Sequence, residues 1–500
     1  MDRDVKRENK TGILRAGAAK SDITVSGKSA DIHDPLYAKA LVLDDGVISV
    51  VIIGMDTTAI DGRRISKRML DDVGDDFLSN LRRKVQSELQ IPGRNVLVNA
   101  SHTHPPCRHL CGDEEQVEKT FDAVRRAFEN MAEVKIGSGI GYEDRITINR
   151  TLRLKNGKHW TIRNSNPCPP DEEVEGLGPL DAGIGIIRID RTDGSPLAVV
   201  YNFACHPLTG VQGSRVSAYL PGFASKVIED TLGNGVIALF LQGAGGDAVD
   251  ILFKDINRPR TTEPLGTMLA LSTLKAHGDI RTESGRGLNV ITETIELPFR
   301  RDIPGLIESL KKEQSELLAS LRGMTLNLKA FIPLYIRYGL NHDYPADYSY
   351  RYLHADSIGT DEFKLLDEEN RGRLKKYLHN IDVMEKLTKI EDDIATLEKH
   401  QEIINDFGGD AVTTEVQGIK IGECVIITSA AELLTEVGLN IKKASPYKHT
   451  FISAFSNGYL HYGPPASYYG RGGYEVTECL LAPEWQEVYE KKANNIISQL

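Results

Sequence analysis

GIGIIRIDRTDGSPLAVVYNFACH, residues 183–206, is the stretch from which the fold is read. Two runs rich in Ile and Val flank Asp193-Gly194. An Asp-Gly pair between apolar runs is a strong hairpin signal, because the turn needs positive φ at its central positions. The second run ends abruptly on Cys205-His206-Pro207. The same pattern occurs in AKALVLDDGVISVVIIGMD, residues 38–56, with Asp45-Gly46 at the turn, and in VQGIKIGECVIITSAAE, residues 416–432, with Gly422 near it. No repeat of sequence accompanies this repeat of pattern.

Single strands are expected in NVLVNASHTH (95–104), VIALFLQGAGGD (236–247) and HTFISAFSNGYLHY (449–462), all apolar and β-branched as buried strands are. Amphipathic stretches near 63–73, 75–90, 115–133, 221–232, 264–277, 433–444 and 483–499 read as helices. Alternation of the two predicts an α/β fold, a mixed β-sheet core flanked by helices. The region 303–407 differs: it is charged and strongly helical, with a Tyr-rich middle, YPADYSYRYLHADS. It is expected to be a helical insertion, a lid subdomain or a dimer arm, within a catalytic domain made of 1–302 and 408–500.

The chain has 500 residues, 40% of them hydrophobic, which is enough for a large core. Its net charge of −11 argues against nucleic acid and anionic membranes as partners, since both select basic surfaces. The start, MDRDVKRENKTG, has no apolar core of a secretory signal, and no run of eighteen apolar residues follows. Six cysteines are too few for a disulfide scaffold. A cytoplasmic protein acting on a small molecule, with a homo-oligomer as an option, is therefore expected.

Polar residues gather where the apolar strands stop. The strand ends carry Asp56, the run Ser101-His102-Thr103-His104, His206, Gln242 with the turn to Asp247, Glu432, and the group Asn457, Tyr459, His461 and Tyr462. Ligands in α/β sheets bind outside the carboxyl ends of strands. Two His and one Glu suit zinc, which keeps a position open for water in catalytic sites. His102 and His104 alternate along a strand and face opposite sides unless the chain turns, for which Pro105-Pro106 supply a reason. One of the pair then ligates metal while the other works beside it. A rival zinc site of His104, Cys107, His109 and Cys111 lacks a second Cys pair and is not a finger pattern. The Gly243–Gly246 turn has neither the lysine nor the spacing of a nucleotide loop and reads as backbone brought close to a ligand.

An ordered set of short motifs resembles the N-terminal catalytic domain of the neutral, non-lysosomal ceramidases and their bacterial relatives. The segments are RAGAAKSDIT (15–24), SHTHPP (101–106), INRT (148–151), NFACHP (202–207), QGAGGD (242–247), AAELLTEVG (430–438), NGYLHY (457–462) and GGYEV (472–476). The resemblance implies Zn2+ held by His102, His206, Glu432 and Tyr462, with His104, Arg150 and Tyr474 at the reaction centre. It departs from the family at two places. Ala430-Ala431 replace the Pro-Gly before the ligand Glu, and Val249 stands where the ceramide-cleaving members carry a catalytic Ser.

The reading is a zinc-dependent hydrolase that cleaves an amide or ester of a small soluble substrate with metal-activated water. Asp56, Gln242, Asp247 and Asn457 are expected around the site, with Asp247 orienting a ligand His or capping a turn. Two other readings are a metal-dependent epimerase or lyase on a sugar acid or polyol, with His104 as base, and a non-catalytic binding protein on the same fold.

Overall fold

The computed structural model describes residues 12–25, 31–66, 73–104, 109–162, 169–213, 215–250, 261–285, 287–345 and 350–500. The chain divides into two compact units, Met1–Arg300 with Ile403–Leu500, and Arg301–Glu402.

The first unit is α/β and is built three times over on one plan. A leading strand lies antiparallel to a hairpin, a helix follows, and the next strand returns parallel to the hairpin's second strand. The first set is Arg15–Asp22, the hairpin Tyr37–Asp44 and Ser49–Met55, helix Phe77–Leu89 and strand Val96–Ala100. The second is Ala132–Tyr142, Gly183–Arg191 with Pro196–Phe203, helix Tyr219–Leu232 and Ile237–Gln242. The third is Leu288–Pro298, Ala411–Ile421 with Cys424–Thr428, helix Thr435–Ala444 and His449–Ser453. A closing helix in each set (Asp113–Glu129, Glu263–Asp279, Trp485–Gln499) packs back on the leading strand. A parallel return needs a crossover, and the amphipathic helix supplies it.

The first two sets join through Arg15 and Ala16 against Glu133 and Ala132 to make one mixed sheet of eight strands. The third set forms a sheet of four. The apolar core between the two sheets contains Leu41, Ile52, Ile187, Leu239, Ile426 and Phe451. Gly185 lets the sheets close, since a Cβ there would sit 2.5 Å from the Phe451 ring. Helices 219–232 and 263–279 cover the outer face through a second core around Tyr201, Phe203 and Phe240. No described helix is long and apolar enough to cross a membrane. The described cysteines Cys111, Cys205, Cys424 and Cys479 are buried free thiols, while Cys107 and Cys168 lie outside the described residues.

All three hairpins form with their glycines in the expected turns, Gly46, Gly194 and Gly422, each at positive φ. The three single strands are shorter than expected and end at Ala100, Gln242 and Ser453. The leading strands carry no clear period-two signal. AEVKIGSGIGY at 132–142 is the extreme case. Its Gly137 and Gly139 leave room for Ile280 and Arg281, whose atoms would lie 2.1–2.7 Å from any Cβ. Glycines selected for close approach erase the pattern from which a strand is read.

The second unit is helical: Ile303–Ser320, Leu328–Leu340, Tyr350–Ile358 and the 46-residue Glu362–Phe407, which runs on into the first unit. It enters the chain between the leading strand and the hairpin of the third set.

Candidate metal centre

Parallel strands end at one edge, so each set delivers two chain ends to the same place. After the third strands come Asp56, His206 and Glu432. After the returning strands come His102, Gly243 and Asn457. Buried Asn99 ties the three returning strands together. Its amide donates to the Ala454 carbonyl at 2.5 Å and the Ser453 hydroxyl at 3.2 Å, and its carbonyl accepts from the Gln242 amide at 2.9 Å. Gln242 reaches both histidine-bearing segments, donating to the Cys205 carbonyl at 2.7 Å and pointing at that of Ser101 at 3.5 Å.

The backbone turns at His102 itself, where φ is +63°, a region that costs a non-glycine residue energy and is found at over-determined sites. Pro105 and Pro106, from which a turn was expected, lie outside the described residues. The turn brings His102 and His104 to the same side, with Nε2 atoms 3.0 Å apart. His206 Nε2 lies 2.9 Å from His102 Nε2. The ring nitrogens of His102, His104 and His206 thus form one group within 4.8 Å. The rival set around Cys107 therefore loses His104's ring to this group.

Glu432 adds a carboxylate. Its Oε2 is 3.5 Å from His102 Nε2 and 3.9 Å from His206 Nδ1, without a well-directed hydrogen bond to any described residue. Its Oε1 accepts from the Tyr459 hydroxyl. Burial pushes the Glu432 carboxyl up, but the facing His102 and the Tyr459 hydrogen bond outweigh it and hold the pKa at about 2. Burial, with His102, Arg150 and His104 nearby, pushes His206 well below the usual imidazole range. His206 is therefore a neutral imidazole and Glu432 an ionised carboxylate, the protonation states in which each binds metal.

The donor set fits a cation on two further counts. His102 Nδ1 lies 2.7 Å from the Thr58 carbonyl, which takes its proton and leaves the Nε2 lone pair facing the group, the usual support of a ligating His. Tetrahedral zinc bonds of about 2.0–2.1 Å imply donors about 3.3 Å apart, and His102 Nε2 lies 2.9 Å from His206 Nε2 and 3.5 Å from Glu432 Oε2, on either side of that value. His102, His206 and Glu432 are 1–2% exposed, whereas His104 is half-buried.

Tyr462 stacks on His206 with ring centroids 6.5 Å apart, and its hydroxyl accepts from Arg150 at 3.0 Å. Arg150 is itself pinned. It donates to Glu475 at 2.6 Å and to the Gly246 carbonyl at 2.9 Å, and lies 5.6 Å from the Tyr462 and Tyr474 ring centroids. Burial pushes the Arg150 pKa down, and Tyr462 and Glu475 beside it outweigh that and raise it. Tyr474 meets Tyr462 edge-on at 5.6 Å.

Three expected neighbours of the site act elsewhere. Asp247 accepts from the Thr435 amide and hydroxyl at 2.8 and 2.7 Å and from Asn149 at 2.7 Å, so it caps the helix that follows Glu432 and orients no histidine. Asp56 accepts from the Tyr37 amide at 2.9 Å, with its pKa pushed up by burial to about 6. Asn457 is spent on Val98, accepting from its amide at 2.8 Å. Val249 is buried and its strand bridges the backbone of His206. Glu475, Asn99 and Phe455, whose ring lies 4.1 Å from that of His102, were not picked out as site residues from the sequence, and Tyr459 was noted there only as one of the strand-end groups. Only Tyr459 and Glu475 sit inside motifs noted there.

No protein-family model matches the chain, and no curated protein does. Among solved structures, neutral ceramidase from Pseudomonas aeruginosa matches with a TM-score of 0.58 at 15% identity, covering 97% of this chain and 74% of that one. A structure described as ceramidase complexed with C2 matches at 0.60 and 16% identity, covering 97% and 75%. The chain shares the fold of these ceramidases along nearly its whole length, at an identity that leaves its chemistry to be argued from its own side chains.

Proposed function

We propose that this chain is a metal-dependent hydrolase that cleaves an amide or ester bond of a small molecule, with zinc as the metal its donors suit. The observation that carries the reading is the gathering of three imidazoles within 4.8 Å, with the buried Glu432 Oε2 3.5 Å from His102 Nε2. His102, His206 and Glu432, with the Tyr462 hydroxyl, would hold the ion. A bound Zn2+ would polarise a carbonyl and bring the pKa of water down to about 7. The likeness in fold to chains named as ceramidases supports hydrolysis and leaves the substrate open.

The side chains divide the remaining work. His104, the half-buried imidazole, takes a proton at Nε2 from the attacking water and returns it to the leaving nitrogen or oxygen, a transfer typically worth about 10²–10⁴-fold. The C–N or C–O bond breaks as the new C–O bond forms. Tyr474 and Arg150 stabilise the charge that develops on the carbonyl oxygen. Val249 has no hydroxyl to attack with, which is compatible with water as the nucleophile. A cytoplasmic setting and a soluble substrate complete the proposal.

Two measurements test it. Elemental analysis of the purified chain is expected to find about one zinc per chain, and a metal-free protein would return the fold to a binding role. Turnover of N-acyl compounds, esters and lactones in heavy-oxygen water is expected to place one label in the acid product. Unlabelled product would instead support epimerisation or elimination at the same site. Tyr474→Phe is expected to lower turnover about 10²-fold with metal content retained. Equal turnover in that variant removes Tyr474 from the reaction.

A further inference from the structure

Of the eight described non-glycine residues at positive φ, three lie within seven positions of one another: Phe455 at +54°, Asn457 at +57° and His461 at +55°. Gly458 between them is at +146°. Such conformations persist only where the surroundings over-determine them, and they cluster at functional sites. The surroundings here are explicit. The Asn457 amide donates to the Val98 carbonyl at 2.9 Å, and the Asn457 side chain accepts from the Val98 amide at 2.8 Å. The Leu460 amide donates to the Ala430 carbonyl at 3.1 Å, and the Glu432 amide donates to the His461 carbonyl at 2.9 Å. The strained turn is thus tied on one side to the strand that leads to His102, and on the other to the segment that carries Glu432.

What the turn delivers is Tyr459. The residue is 5% exposed, and its ring sits close against the backbone of Gly62, where a Cβ would lie 3.3 Å from Tyr459 Cδ1. Its hydroxyl donates to Glu432 Oε1. His461 Nδ1 lies 3.4 Å from the same hydroxyl, a longer and weaker contact that leaves the phenol's proton with Glu432. Glu432 Oε2 accepts no hydrogen bond from a described residue and lies 3.5 Å from His102 Nε2. The two oxygens of one carboxylate are therefore in different states. One is committed to a phenol, and the other faces an imidazole.

We propose that Tyr459 is a positioning residue of the metal centre: by holding Glu432 Oε1 it fixes the carboxylate with Oε2 turned toward His102 Nε2, and so sets the affinity for the ion. The inference rests on the metal-dependent reading above. A glutamate side chain has a broad terminal torsion, so a ligand oxygen is aimed only if something holds its partner oxygen. Residues one layer behind a ligand do this at metal sites and typically set affinity by about 10–100-fold. Tyr459 does not double as the donor to the reacting carbonyl, because a phenol has one proton and Glu432 takes it. That task stays with Tyr474 and Arg150.

Tyr459→Phe removes the hydroxyl and keeps the ring. Zinc affinity of the full chain, measured by competition with a chelator, is expected to fall about 10–100-fold. Turnover is expected to recover once zinc saturates the site, with KM unchanged, because Tyr459 touches no reacting atom. Should the metal-free variant unfold, the loaded protein is used instead, and its loss of zinc to excess chelator is expected to be about 10-fold faster than in wild type. A wild type that binds no zinc sinks the metal reading and this inference with it. A wild type that binds zinc, beside a variant that holds it as tightly or releases it as slowly, overturns this inference alone. Turnover that stays low at full zinc also overturns it, by making Tyr459 a catalytic residue.

Discussion

His206→Ala is expected to leave a folded protein without its metal and with turnover at least ~10³-fold lower. His206 follows the hairpin strand Pro196–Phe203, and its backbone is fixed by its amide, which donates to the Ala248 carbonyl at 2.7 Å. Removing the ring therefore deletes a donor and moves little else. The loss leaves His102 Nε2, Glu432 Oε2 and the Tyr462 hydroxyl as three donors where four would hold the ion, with the first two facing each other at 3.5 Å. Changes one layer further out typically cost 10–100-fold in metal affinity, so a direct donor should cost more. Metal analysis and turnover of the same preparation read both effects. Full zinc and full turnover in this variant would sink the metal assignment. Loss of turnover with full zinc would instead move His206 from ligand to another role.

Glu475→Gln is expected to have the largest effect on stability, about 3–5 kcal/mol, because it strands a buried guanidinium. Arg150 and Glu475 are 4% and 2% exposed, and they form an ion pair at 2.6 Å. The Glu475 carboxylate also accepts from the Thr161 hydroxyl at 2.7 Å, which ties the pair to the strand His159–Thr161. Urea unfolding of the variant should show the loss as a lower midpoint with an unchanged slope. The double replacement Arg150→Met, Glu475→Leu should recover most of that stability, because it removes both charges from the interior. It should not recover turnover, because the Tyr462 hydroxyl then loses its 3.0 Å donor. If the double variant also regains full turnover, the pair is structural only.

Much of this protein was legible in its sequence because short-range rules governed it. An Asp-Gly or Gly turn between apolar runs fixes a hairpin locally, so all three hairpins and the helices between them could be read from spacing. Apolar strands that stop at His, Glu or Tyr likewise marked one edge of the sheet. What distance along the chain concealed was partnership. Arg150 and Glu475 are 325 residues apart, and nothing at either position announces the other. Asp247 looked as ready to orient a histidine as to cap a helix, and only the arrival of Thr435 at 2.8 Å settles which it does.

The sequence by itself determined the three hairpins, the helices of the α/β class and the residue types gathered at the strand ends, since propensity, turn chemistry and period act over a few residues. The tertiary structure alone decided that His102 and His104 face the same way, because that rests on one left-handed backbone angle held by contacts to Thr57 and Thr58. It alone decided the stacking of the three strand sets around Asn99 as well. Packing of that kind is a sum over residues far apart in the chain, and no local pattern records it.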